Sequence, residues 1–149
     1  MKALSFFAFV LMIFAVSCSG NDYGDKVMEG TLSPADFSGQ KPMTQKDIDI
    51  YVELIPESAA FTDNYMTGTI TDKPLAIETF KKHGVDRRRY LFLTHKVFYA
   101  MLSSSGISFK IPDSFPKSMR VTEEDVELVS LNKDRILHAN GKYYDNKHM

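Results

Sequence analysis

The chain has 149 residues, with 18 Lys and Arg against 19 Asp and Glu and a formal net charge of −1 at pH 7. That length suits one domain, and the balanced charge excludes a protein dominated by nucleic-acid electrostatics, so no nucleic-acid partner is expected. A single Cys, Cys18, excludes an intramolecular disulfide framework and a multi-Cys zinc site.

Met1-Lys2 is a short basic start. Residues 3–16 then form an apolar run broken only by Ser5, and Ser17-Cys18-Ser19-Gly20-Asn21-Asp22 turns polar at once. A basic start, an apolar stretch of this length and small residues at its end describe a secretory signal. The run is shorter than the roughly 20 apolar residues of a permanent span. Ala15-Val16-Ser17-Cys18 resembles the bacterial lipobox, with Ala15 where Leu is usual. The resemblance implies a signal peptide over 1–17, removal of that peptide, and a diacylglycerol on the Cys18 thiol, with palmitate-type acylation. Ser19 after the Cys, by resemblance to the sorting rule of enteric bacteria, implies the outer membrane in a Gram-negative cell. The alternative is an ordinary secreted protein cut near Ala15 or Ser17, with Cys18 an incidental thiol. An exposed thiol in an oxidising compartment is a liability that acylation removes, and a multiply acylated Cys anchors without a span.

Removing the leader leaves 132 residues, with seven Phe and seven Tyr for one modest core. Residues 18–40 read as the acylated Cys and a Gly/Ser/Asp-rich tether. Ser33-Pro34-Ala35-Asp36-Phe37 carries the cap and first-position Pro of one helical turn.

A helical domain is expected over 41–141. Thr44-Gln45-Lys46-Asp47 resembles a capping box with Asp for Glu. Ile48, Tyr51, Val52, Ile55 and Ala59 follow at helical spacing, and Pro56 predicts a kink or a stop near Ile55. Residues 67–72 read as a loop. A short helix is expected from Pro74, capped near Asp72, with Lys81, Lys82 and His83 at the negative end of its dipole and Gly84 just beyond.

Asp86 can cap the next helix and Gly106 can end it. Tyr90, Leu93, Val97, Ala100 and Met101 make its stripe, and Leu91, Phe92, Phe98 and Leu102 widen the stripe past a half-face, as in a central helix. Residues 107–120 hold Pro112 and Pro116 and predict an extended crossing that packs Ile107, Phe109, Ile111 and Phe115 over the bundle. A last helix starts at a second box, Thr122-Glu123-Glu124-Asp125. It turns Val126, Val129, Ile136 and Leu137 inward, with Leu128 and Leu131 beside them, and ends at Asn140-Gly141. Residues 142–149 read as a frayed tail. These elements predict an all-α fold: a small irregular bundle of about four helices with an extended, Pro-containing connection.

No catalytic motif appears, so the expectation is a protein without enzymatic activity, cofactor or metal. The four His residues (83, 95, 138 and 148) include no i,i+3 or i,i+4 pair. His95 reads as a hydrogen-bonded residue at the edge of the core, the alternative being a metal pair with His138. The carboxylates at 47, 49 and 123–125 suit first helical turns by electrostatics alone. Arg87, Arg88 and Arg89 sit at the end of a helix that disfavours cations. Either they pair with Asp86 and other acids, or they meet an anionic partner such as lipid headgroups. Tyr90, Phe92, His95, Phe98 and Tyr99 read either as core or as the lining of a pocket. The expected function is a membrane-anchored accessory or interaction protein of the bacterial cell envelope, with an envelope protein as partner. A carrier of a small ligand or lipid, with its pocket between helices, is the alternative.

Overall fold

The computed structural model describes residues 23–28 and 32–149. The leader, Cys18 and Ser19 lie outside the described residues. The fold is all-α. Helix α1 is a single turn, Asp25–Met28; the longer helices are α2 (Gln45–Ser58), α3 (Lys73–His83), α4 (Arg87–Ser104), α5 (Glu123–Leu131) and α6 (Lys133–Lys147). Short 3₁₀ turns occupy Pro34–Phe37 and Lys117–Met119. Among the described residues there is no strand, only an isolated antiparallel bridge between Thr62 and Ile70.

Helices α2 to α5 each begin where a side chain satisfies an orphan amide. The Thr44 amide donates to Asp47 Oδ2 (2.9 Å), and the Thr122 amide donates likewise to Asp125 Oδ2 (2.9 Å). Asp72 accepts from the Leu75 amide (3.1 Å) and Asp86 from that of Arg89 (2.9 Å). Gly84, at φ +68°, closes α3 in the left-handed conformation that costs Gly least.

The main packing partners are α2 with α6 and α4 with α5. Ile48, Tyr51, Leu54 and Ile55 of α2 and Ile136, Ala139 and Tyr143 of α6 are all buried. Phe61, Phe80 and Tyr90 fill the centre, Phe80 meeting both neighbours with ring centroids 5.4 Å apart. The turn at Gly68 (φ +60°) passes so close to α4 that a Cβ there would lie 2.5 Å from Leu91 Cδ2. No helix among the described residues is long and apolar enough to cross a membrane.

Five expectations are corrected. Residues 23–28 and 32–40, read as tether, pack on the domain: Val27, Met28 and Phe37 are buried, and Tyr23 Oη donates to Val85 O (2.8 Å). Helix α2 runs through Pro56 to Ser58, because hydroxyls and turn amides satisfy its last carbonyls: Ser58 Oγ donates to Ile55 O (2.7 Å), and the Thr62 amide and hydroxyl to Ser58 O (both 2.9 Å). The last helix is two helices. Buried Asn132 ends α5 and opens α6, donating to Leu128 O and Gln45 Oε1 (both 2.9 Å). The break resets the helical phase, which leaves Leu131 (78% exposed) and Leu137 (50%) on the surface instead of inward. Helix α6 does not stop at Asn140-Gly141 but continues to Lys147. Tyr143 is buried there, and Lys147 Nζ donates to Thr62 O (2.7 Å), so 142–147 is pinned and not frayed. The 107–120 crossing buries only Met119 fully. Phe109, Ile111 and Phe115 are half-buried, and Ile107 is exposed.

Candidate functional site

Apart from Cys18, which lies outside the described residues, the anticipated site residues lie on α4, and its 3.6-residue repeat sends them to different places. Arg87 points inward: Nε donates to Gly68 O (3.0 Å) and an Nη to Val27 O (3.1 Å), clamping the 59–72 loop and α1 to the helix. Burial pushes its guanidinium pKa down. Arg89 meets Asp47 at 2.8 Å, donates to Lys41 O (2.7 Å), and stacks over Phe92 at 4.8 Å. Arg88 is half-buried. The three cations therefore do not share one surface.

Tyr90 and Phe92 are core residues, at most 1% exposed, and Tyr90 Oη donates to Ser58 Oγ (3.2 Å). The half-buried His95 places Nε2 2.9 Å from Met66 O and its ring 6.4 Å from that of Phe37. Tyr99 stacks on Phe109 at 5.0 Å. Phe98 of this set lines a groove.

That groove lies between the C-terminal half of α4, helix α6 and the 59–72 loop. It has a volume of about 320 Å³ and is lined by Tyr51, Tyr65, Met66, Val97, Phe98, Met101, Leu102, Ser105, Leu137 and Asn140. None of these carries a charge. Tyr51 Oη donates to Asn140 Oδ1 (2.8 Å). Burial holds the Tyr51 phenol well above its ordinary pKa, and burial with the nearby Tyr144 takes Tyr65 to about 12. The lining is thus neutral across the physiological range. Phe98 (43% exposed) and Leu137 (50%) form its lips. Aromatic contacts extend it in both directions: Tyr65 to Tyr144 at 6.2 Å, and Phe98 to Tyr99 at 5.5 Å.

A second groove, of about 460 Å³ between α2 and α6, is charged. Glu53, Glu57, Arg135, His138 and Lys142 are among its lining. His138 and His95 line different surfaces. Glu57 is engaged by Lys82 (2.7 Å) and by the buried His83 ring (3.1 Å). Burial alone would raise the Glu57 pKa, but these two hydrogen bonds outweigh it and hold the carboxyl below its usual value. A depressed carboxylate pKa adds stability that is present above the unfolded value and is lost as pH falls through the folded one. The Glu57→Gln variant should therefore lose less stability on acidification, read as thermal midpoints from about pH 6 to pH 3. A decline as steep as that of the parent chain would contradict this. Among the described residues, no three His, Cys, Asp or Glu side chains converge as a metal site requires.

Periodicity reads Tyr51 and Leu137 as core and does not mark Tyr65 or Asn140, yet all four line the groove. They reach the groove from three separate segments, and no local signal marks such convergence. Fold and site together define a small all-α module with a neutral aromatic groove. No family model, no curated protein and no solved structure matches the chain.

Proposed function

We propose that the protein is a lipid-anchored, non-enzymatic accessory module of the bacterial cell envelope. Cys18 is its acylated residue, and its working surface is the α4–α6 groove, which receives an apolar segment of an envelope protein. The outer membrane is the favoured location in a Gram-negative cell. The observation that carries the reading is a neutral groove with exposed aromatic and aliphatic lips. A contiguous apolar patch of this kind marks an interaction site more often than isolated exposed residues do. Anchoring raises the local concentration of a weak groove–segment contact. The carrier reading also draws on the groove: its volume sits at the low end of small-ligand pockets, with Tyr51, Ser105 and Asn140 as polar groups in the lining.

The test places a photo-crosslinking phenylalanine analogue at 98 or 137 in cells, with position 131 on α5 as an equally apolar, exposed control. Discrete protein adducts from 98 and 137 but not from 131 are expected. They should weaken in a Cys18→Ala background, which should also stop incorporating labelled fatty acid. Lipid or small-molecule adducts alone would favour the carrier. Adducts no different from those at 131 would overturn both groove readings, and fatty-acid labelling that survives Cys18→Ala would overturn the anchor.

A further inference from the structure

The described chain begins at a fixed point. Tyr23 Oη donates to Val85 O (2.8 Å), in the turn between α3 and α4, and Lys81 Nζ lies 5.4 Å from the centre of the Tyr23 ring. Helix α1 follows, with Val27 and Met28 buried and Val27 O held by Arg87. The polypeptide thus leaves the domain at the N-terminal end of α4. Cys18 precedes Tyr23 by five residues, which span at most about 18 Å.

We infer that the α3–α4 corner, through Lys81 and Lys82, faces the anionic headgroups of the bilayer that holds the acylated Cys18, and that the groove points away from that bilayer. The inference rests on the anchor proposed above. Two observations carry it. The first is reach: Phe98 lies eleven residues along α4 from Arg87, about 16 Å, and Ser105 lies further still. Standing the domain on the C-terminal, groove-bearing end of α4 would draw the five-residue tether nearly straight, against its chain entropy. Laying the α3–α4 corner on the membrane leaves it slack. The second is charge. Lys81 and Lys82 are consecutive in the last turn of α3 and are both exposed. Lys82 also pairs with Glu57 at 2.7 Å, whereas Lys81 meets only the Tyr23 ring among the described residues. Their attraction to a negative surface acts within about a Debye length, 8–10 Å, a distance the short tether permits.

The test uses the full acylated chain in vesicles of phosphatidylcholine with a minority of phosphatidylglycerol and a nickel-chelating headgroup lipid. A single nitroxide is placed through Glu78→Cys, on α3 beside the lysines, or through Leu137→Cys, on the groove. Acylation consumes the Cys18 thiol, so the introduced Cys is the only one labelled. Relaxation by nickel should be several-fold greater at 78 than at 137. The double variant Lys81→Glu/Lys82→Glu, or omission of phosphatidylglycerol, should shrink that difference. Equal relaxation, or stronger relaxation at 137, would overturn the orientation. A difference indifferent to lipid charge and to both lysines would overturn the headgroup contact. A chain mass lacking the acyl increment, with label on Cys18 itself, is a distinct failure: it would overturn the anchor and this orientation with it.

Discussion

Asp125→Ala is expected to lower the stability of the fold by about 3–5 kcal/mol, the range for breaking a buried ion pair from one side. Asp125 Oδ2 accepts from Lys96 Nζ at 2.6 Å, with the two side chains 5% and 3% exposed. The same oxygen accepts the Thr122 amide, so one carboxylate caps α5 and fastens it to α4. Lys96 Nζ also donates to Arg120 O and lies 5.8 Å from the centre of the Phe92 ring. Removing the carboxylate strands an ammonium in an apolar interior and weakens the cap. Replacing both partners, as Lys96→Met with Asp125→Leu, should recover most of the loss, because the buried charge goes with its counter-charge. Denaturant unfolding followed by far-UV circular dichroism measures both variants. A loss below about 1 kcal/mol for Asp125→Ala would show that water reaches Lys96.

Arg87→Ala should cost about 2–4 kcal/mol, and Arg89→Ala about 1. Arg87 is 4% exposed, and its guanidinium satisfies the carbonyls of Gly68 and Val27. Each buried carbonyl left without a donor is worth about 1–3 kcal/mol. Arg89 is partly solvated, and its pairing with Asp47 is correspondingly weaker. Arg87→Lys should rescue little, because a point ammonium cannot reproduce the spread of a guanidinium over two carbonyls on different segments. Equal losses for Arg87→Ala and Arg89→Ala in the same unfolding assay would contradict the assigned roles.

Much of the fold is legible before any coordinates. Thr44, Asp72, Asp86 and Thr122 each announce a helix start through the one side-chain geometry that serves an orphan amide, and all four do so here. Helix ends are less legible. Gly141 has the residue type of a terminator, but the burial of Tyr143 and the reach of Lys147 to Thr62 carry α6 past it. The break at Asn132 is invisible locally because its partner, Gln45, stands 87 positions away. That break decides which of Leu131, Ile136 and Leu137 are covered. The groove is less legible than the fold. Periodicity gathers Tyr90, Phe92 and Phe98 as one apolar set; only neighbouring helices determine that two of them are sealed and one is left at an edge. Lys96 falls within an apolar stretch, and nothing local shows that Asp125 waits for it.

The pairing of α2 with α6 also governs how the molecule comes into being. The first long helix to be synthesised leans its apolar face, Ile48, Tyr51, Leu54 and Ile55, on the last, through Ile136, Ala139 and Tyr143. A nascent chain cannot close its core until residues 133–147 have cleared the ribosome. Until then the apolar face of α2 lacks its cover.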